Sequence, residues 1–138
     1  MPIEGVVADA NVLLSAVIGK AALRVFTESR VRVHACQFNA DEVMEYLPAM
    51  AHKYGLPLNL VLLQWHLLPV RIHQQQDYIL HLDSARNDLR GRDPDDAHPL
   101  ALARQLGLAL WSNDRDLLGH GVECLPTARL IRKLEVEM

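Results

Sequence analysis

Acidic side chains recur in this sequence at the points where apolar runs stop. Residues 3–8, nearly uncharged and rich in β-branched side chains, end at Asp9, with Asn11 two residues on. Residues 108–111 run into Ser112, Asn113, Asp114 and Asp116, while Asp93, Asp95 and Asp96 crowd ahead of a helical stretch and Asp41, Glu42 and Glu45 follow Asn39. In an open parallel sheet, ligands bind outside the carboxyl ends of the strands, where a carboxylate leaving a buried strand is held rigidly and aimed at solvent. Several carboxylates converging there repel one another unless a cation stands between them. Hard divalent ions such as magnesium take oxygen ligands, keep several waters and need only one or two carboxylates plus a substrate phosphate. The chemistry suggested is metal-assisted phosphodiester hydrolysis, in which the ion lowers the pKa of a bound water and neutralises the leaving oxygen. Taken alone, Asp9 suits the N-cap of a following helix equally well.

The elements that must position these groups alternate along the chain. A buried strand over residues 3–8 leads into a short helix carrying Val12, Leu13, Ala16 and Val17, which breaks at Gly19. A second helical piece covers residues 21–29, and residues 31–36 alternate as a strand with one exposed face. Asn39 is the expected cap of the next helix, which has Asp41 and Glu42 in its first turn, Pro48 as a kink and Gly55 as its stop. Pro57 opens a helix that is apolar at almost every position to Leu68, the pattern of a core element or a dimer seam. Residues 69–72 suit a third strand and 78–89 a helix with Ile79, Leu82, Ala85 and Leu89 at helical spacing. A helix with Pro99 in its first turn then runs to Gly107, followed by strands at 108–111 and 122–125 and a terminal amphipathic helix capped by Thr127. Strands alternating with helices predict an α/β protein, a three-layer α/β/α sandwich around a mostly parallel sheet of four or five strands.

Composition narrows the class further. The chain has 138 residues, half of them hydrophobic, which suits one domain over 1–138 and argues against disorder. No apolar run reaches the roughly 18 residues of a membrane span, and the N-terminus lacks the layout of a signal peptide. These features predict a cytoplasmic protein with no membrane association. The two cysteines, Cys36 and Cys124, lie in apolar strand-like settings and read as buried free thiols, and the seven histidines show no ligand spacing. A net charge of −3 argues against a globally basic nucleic-acid binder, although arginine, the side chain suited to bidentate phosphate contacts, outnumbers lysine eleven to three.

The order and spacing of these residues resemble the PIN-domain nucleases over essentially the whole chain. VVADANVLLSA and DPDDAHPLALARQLGLALWSNDRDL carry the resemblance, the second more specifically. Residue by residue, it implies that Asp9 is the first metal-binding aspartate, supported by Asn11. The helix glutamate falls on Glu45, six residues after Asn39 and followed by Tyr46, a better match than Glu42. The helix-opening aspartate falls on Asp96, with LALA following and Asp93 assisting; the last acidic position falls on Asp114, with Asp116 nearby. Membership would imply a magnesium- or manganese-dependent ribonuclease, often the toxin of a bacterial type II toxin–antitoxin pair and commonly a homodimer. RNA and an antitoxin protein are then the expected partners.

Two other classes compete. A PIN-like module that binds RNA or a protein without cutting has little use for clustered anions that repel phosphate. A phosphoryl-transfer enzyme with an aspartyl nucleophile would carry a second aspartate two residues after Asp9, where this chain has Asn11, and no glycine-rich phosphate loop is visible.

Overall fold

The computed structural model describes residues 3–137. Five strands form one all-parallel sheet in the order β3-β2-β1-β4-β5: β1 (Gly5–Ala8), β2 (Arg32–Cys36), β3 (Val70–His73), β4 (Ala109–Trp111) and β5 (Cys124–Leu125). The chain steps outward from β1 to β2 and β3, then returns to place β4 on the other side of β1. The order therefore reverses between β1 and β4, and the crevice at their carboxyl ends is where such sheets bind ligands.

Seven helices complete the layers: α1 (Ala10–Val17), α2 (Leu23–Thr27), α3 (Gln37–Lys53), α4 (Leu58–Leu67), α5 (Ile79–Asp88), α6 (Ala97–Leu106) and α7 (Thr127–Glu137). Successive strand residues point to opposite faces, so each strand feeds two cores. Val6, Ala8, Val33, Ala35, Trp111 and Leu125 pack with Leu13, Leu47 and Leu130 on one side. Val7, Cys36, Leu110 and Cys124 pack with Leu82, Leu100 and Leu102 on the other. Burial on both faces explains why β1 and β4 read as apolar runs, while β2 alternates because Arg32 is exposed and His34 half-buried on one face. Both cysteines are buried free thiols, and no helix among the described residues is long and apolar enough to cross a membrane.

Several expected boundaries move. Strand β2 enters α3 without a loop, so Cys36 stands at the N-cap and Asn39 lies inside the helix; neither Asp41 nor Glu42 occupies the first turn. The helix continues through Pro48 to Lys53. Thr127 is the first residue of α7, and its hydroxyl accepts a hydrogen bond from Trp111 Nε1 at 3.0 Å while its backbone N–H donates to Asn113 Oδ1 at 2.9 Å. These bonds clamp α7 to the end of β4. Helix α4 is no core element: Val61 alone of its residues is fully buried, and Leu58, Leu60, Leu63 and Leu67 are exposed. Gly107 closes α6 in the left-handed region, φ 67°, which a side chain resists.

Candidate active site

Asp9 follows β1 directly and is buried. It serves both readings of the sequence. One carboxylate oxygen accepts from the Val12 N–H at 3.1 Å and caps α1, while the other accepts from the Ser112 hydroxyl, which follows β4. Ser112 Oγ also accepts the Asp114 N–H at 3.0 Å, and Asp114 in turn accepts the Asp116 N–H at 2.9 Å. One hydroxyl thus ties the ends of the two strands at the switch point and sets the position of both aspartates. Burial raises the Asp9 pKa, with the charge of Asp114 adding to the effect, while bonds from Ser112, Val12 and the Asn11 backbone oppose it. The Asn11 side chain itself is exposed.

Asp96 arrives from the opposite layer. Asp93 caps a single 3-10 turn, Pro94–Asp96, by accepting the Asp95 N–H at 3.0 Å, and Pro94 sits at its first position, where no donor is needed. The turn feeds α6 and delivers Asp96 beside Asp114 within hydrogen-bonding reach. Two ionised carboxylates have no proton to share. Burial, then the Asp114 charge, then Asp93 and Asp9 push the Asp96 pKa from 3.8 to about 7. Its Oδ2 is buried with no hydrogen-bond partner.

The fourth carboxylate comes from α3, and here the expectation needs correction. Glu42 is half-buried, accepts from Asn39 Nδ2 at 2.8 Å, and has its pKa raised by burial and by the charges of Asp95, Asp93 and Asp9. Glu45, the expected helix glutamate, is exposed. Helical geometry gives the reason. Asn39 is buried and faces inward, and at roughly 100° per residue a position three later returns to within about 60° of it, whereas one six later lies about 120° away. Asn39 also leaves its own Oδ1 buried and unpaired.

No basic group compensates these charges. Among the described residues Asp9, Glu42, Asp93, Asp95, Asp96 and Asp114 form no ion pair; Asp116 alone of this stretch does, with Arg92 at 3.9 Å. An oxygen-only donor set, uncompensated negative charge and an orphaned buried oxygen fit a hard divalent cation. Among the described residues no three acidic, imidazole or thiol groups form a ready-made cage.

Behind the acids lies a polar network that sequence reasoning missed. The Tyr78 hydroxyl hydrogen-bonds His98 Nδ1 at 2.8 Å, and the His98 ring stacks on Phe38 with centroids 4.0 Å apart. It joins the start of α6 to the start of α3, and so fixes Asp96 relative to Glu42.

A family model described as the PIN domain matches residues 7–135 and takes in every carboxylate of the cluster. Two solved structures show the same fold at low identity. The protein PAE2754 from Pyrobaculum aerophilum superposes with a TM-score of 0.70 at 14% identity, over 97% of this chain and 90% of that one. A toxin–antitoxin complex from Klebsiella pneumoniae gives a TM-score of 0.66 at 20% identity, over 88% of this chain and 97% of that one. No curated protein matches the sequence significantly. With its acids gathered at the switch point of a five-stranded parallel sheet and the family pattern matched over nearly its whole length, the chain belongs to the PIN-domain family, a family of nucleases.

Proposed function

We propose that this protein is a divalent-metal-dependent endoribonuclease and the toxin of a toxin–antitoxin pair. The observation that carries the reading is the buried, unpartnered Asp96 oxygen, placed among the charges of Asp114, Asp93 and Asp9 with no ion pair to any of them. Asp96, Asp114 and Asp9 would hold magnesium or manganese, with Glu42 rather than Glu45 as the helix carboxylate. Such an ion supplies an activated water and charge neutralisation on the phosphate. The chain's own residues do the rest. Ser112 holds Asp9 and the Asp114 backbone in register, Asn39 orients Glu42, and the Tyr78–His98–Phe38 contacts keep α6 and α3 at fixed separation.

The structural likeness to a toxin–antitoxin complex supports a protein partner that blocks the site. The exposed leucines of α4 support a homodimer, and the absence among the described residues of a membrane-spanning helix is compatible with the cytoplasm. The test is incubation of the purified protein with total RNA, with magnesium and with excess chelator. Cutting that needs the metal and disappears in Asp9→Asn is the expected result; undiminished cutting in chelator would overturn the reading.

A further inference from the structure

Outside the acidic crevice, a second uncompensated cluster has the opposite sign. The parallel register of β2 and β3 sets His34 beside Arg71 and Cys36 beside His73, so that Arg32, His34, Arg71 and His73 share one face of the sheet. Helix α6 lies over β1, β2 and β4 on this face and leaves Arg32 and Arg71 exposed at its flank. His34 Nδ1 and His73 Nε2 are 2.9 Å apart, so one ring donates to the other. Room for the His34 ring comes from Gly5, where a Cβ would stand 3.4 Å from His34 Nε2 and 3.1 Å from Leu108 Cδ1. Among the described residues neither the Arg32 nor the Arg71 guanidinium makes a hydrogen bond or ion pair. After burial, the groups that depress the His34 pKa are all basic: His73, Arg71 and Arg32. The nearest acids along the chain are engaged elsewhere, Glu28 with Arg24 and Asp77 with the Gln74 N–H at 3.1 Å, and Glu4, whose backbone carbonyl accepts the Arg32 N–H at 3.0 Å, makes no ion pair with it.

We infer that this face, Arg32, His34, Arg71 and His73, binds the phosphodiester backbone of single-stranded RNA beside the crevice. The choice of RNA rests on the proposed nuclease reading. Two guanidiniums without a counter-charge, beside a histidine pair in which at most one ring is cationic, suit a polyanion, and a crevice lined by carboxylates needs its substrate anchored by cations elsewhere. The patch also leads toward the crevice. His73 ends β3, and the next residue, Gln74, donates its amide to Gln37 at 3.5 Å, the first residue of the helix that carries Asn39 and Glu42. From β3 to β1 is two strand spacings, about 10 Å.

The test is fluorescence anisotropy of a labelled single-stranded RNA of mixed sequence with the full chain in excess chelator, over a series of salt concentrations. Arg32→Ala/Arg71→Ala should bind about tenfold more weakly, with a salt slope shallower by about 1.4, since each contact to a single strand contributes roughly 0.7. Arg32→Lys/Arg71→Lys should keep most of the slope, and Arg129→Ala/Arg132→Ala, on the exposed side of α7, should change little. Unchanged affinity and slope in the first pair would overturn the inference, as would an equal loss in the α7 pair. Binding to anionic phospholipid vesicles that depends on Arg32 and Arg71, with RNA binding unaffected, would assign the patch to a membrane surface and overturn it too. If the alanine pair melts early, Arg32→Gln/Arg71→Gln, which keeps the bulk of both side chains and removes both charges, decides by the same loss of affinity and slope. Patch-dependent binding without any metal-dependent cutting would remove the nuclease reading and leave this inference standing; cutting by a protein whose patch variants bind as wild type would do the reverse.

Discussion

Acidic side chains occupy two kinds of surroundings in this molecule. On its outer surfaces several are matched to bases: Asp88 with Arg104, Glu28 and Glu135 with Arg24, Glu123 with Lys133, Asp83 with Arg86. These pairs are mostly exposed, where water and salt screen them, and each contributes little. At the carboxyl ends of β1 and β4 the arrangement is inverted. Asp9 is buried, Asp96 and Asp114 touch, Glu42 is half-buried, and no base attends any of them. A fold that pairs several of its surface acids with bases, yet takes Asp9, Glu42, Asp96 and Asp114 partly or wholly out of water without one, carries an energetic penalty at one place, which is the expectation for a site that an external cation completes.

The largest effect that would sharpen this contrast is on activity. Asp96→Asn and Asp114→Asn are expected to lower magnesium-dependent RNA cleavage by more than about a hundredfold, since changing groups behind a metal's ligands already costs about 10 to 100-fold. Asp88→Asn should leave cleavage unchanged. Single-turnover cleavage of a labelled RNA checks this, and comparable losses in all three would erase the distinction. Next in size, Glu42→Gln should lose about 10 to 100-fold in the same assay while Glu45→Gln stays near wild type. A larger loss at Glu45 would restore the expectation drawn from the sequence.

A smaller effect concerns stability and pH. Asp96 has a folded pKa raised from 3.8 to about 7, and those of Asp9 and Glu42 are raised as well, so between these values the folded state binds more protons than the unfolded chain. Their stabilising contribution is full below the unfolded pKa and is lost as pH rises through the folded one. In chelator, wild type should therefore gain stability from this site as pH falls from 8 towards 4, and Asp96→Asn should gain less and melt higher than wild type at pH 8. Asp96 stands at the start of α6, where losing its charge costs about 0.3 to 1 kcal/mol in the opposite direction, and Asp114→Asn, which keeps an oxygen to accept the Asp116 N–H, is the companion variant. Thermal melts across that pH range decide the matter; variants that melt below wild type at pH 8 would count against it. Smallest of all, Asp88→Asn should cost less than about 1 kcal/mol in urea denaturation, and a greater loss would mean that the outer pairs do more than screened surface charges can.

How much of this was legible in the sequence depends on the distance over which each feature is decided. Apolar runs ending in acids located β1, β4 and the aspartates, because burial on both faces writes itself into consecutive residues. The preference for Glu45 over Glu42 rested on a landmark that the structure moves: Asn39 was taken as a cap, whereas α3 starts at Gln37 and Asn39 faces inward. Ser112 was visible after its strand, but its bond to Asp9 spans 103 positions and exists only because β4 lies beside β1. The His34–His73 contact likewise arises from the register of β2 and β3, which no local pattern encodes. In α4, apolar residues at nearly every position gave no face to choose, and the structure leaves most of its leucines exposed.

The most direct measurement is calorimetric titration of magnesium into chelator-stripped wild type and Asp96→Asn, paired with melting curves at the same ion concentrations. The uncompensated carboxylates predict saturable binding to wild type and a stabilisation of about 2.7 kcal/mol at a hundred times the dissociation constant, with both strongly reduced in Asp96→Asn. No saturable binding to wild type, or equal binding and stabilisation in the two proteins, would contradict the account.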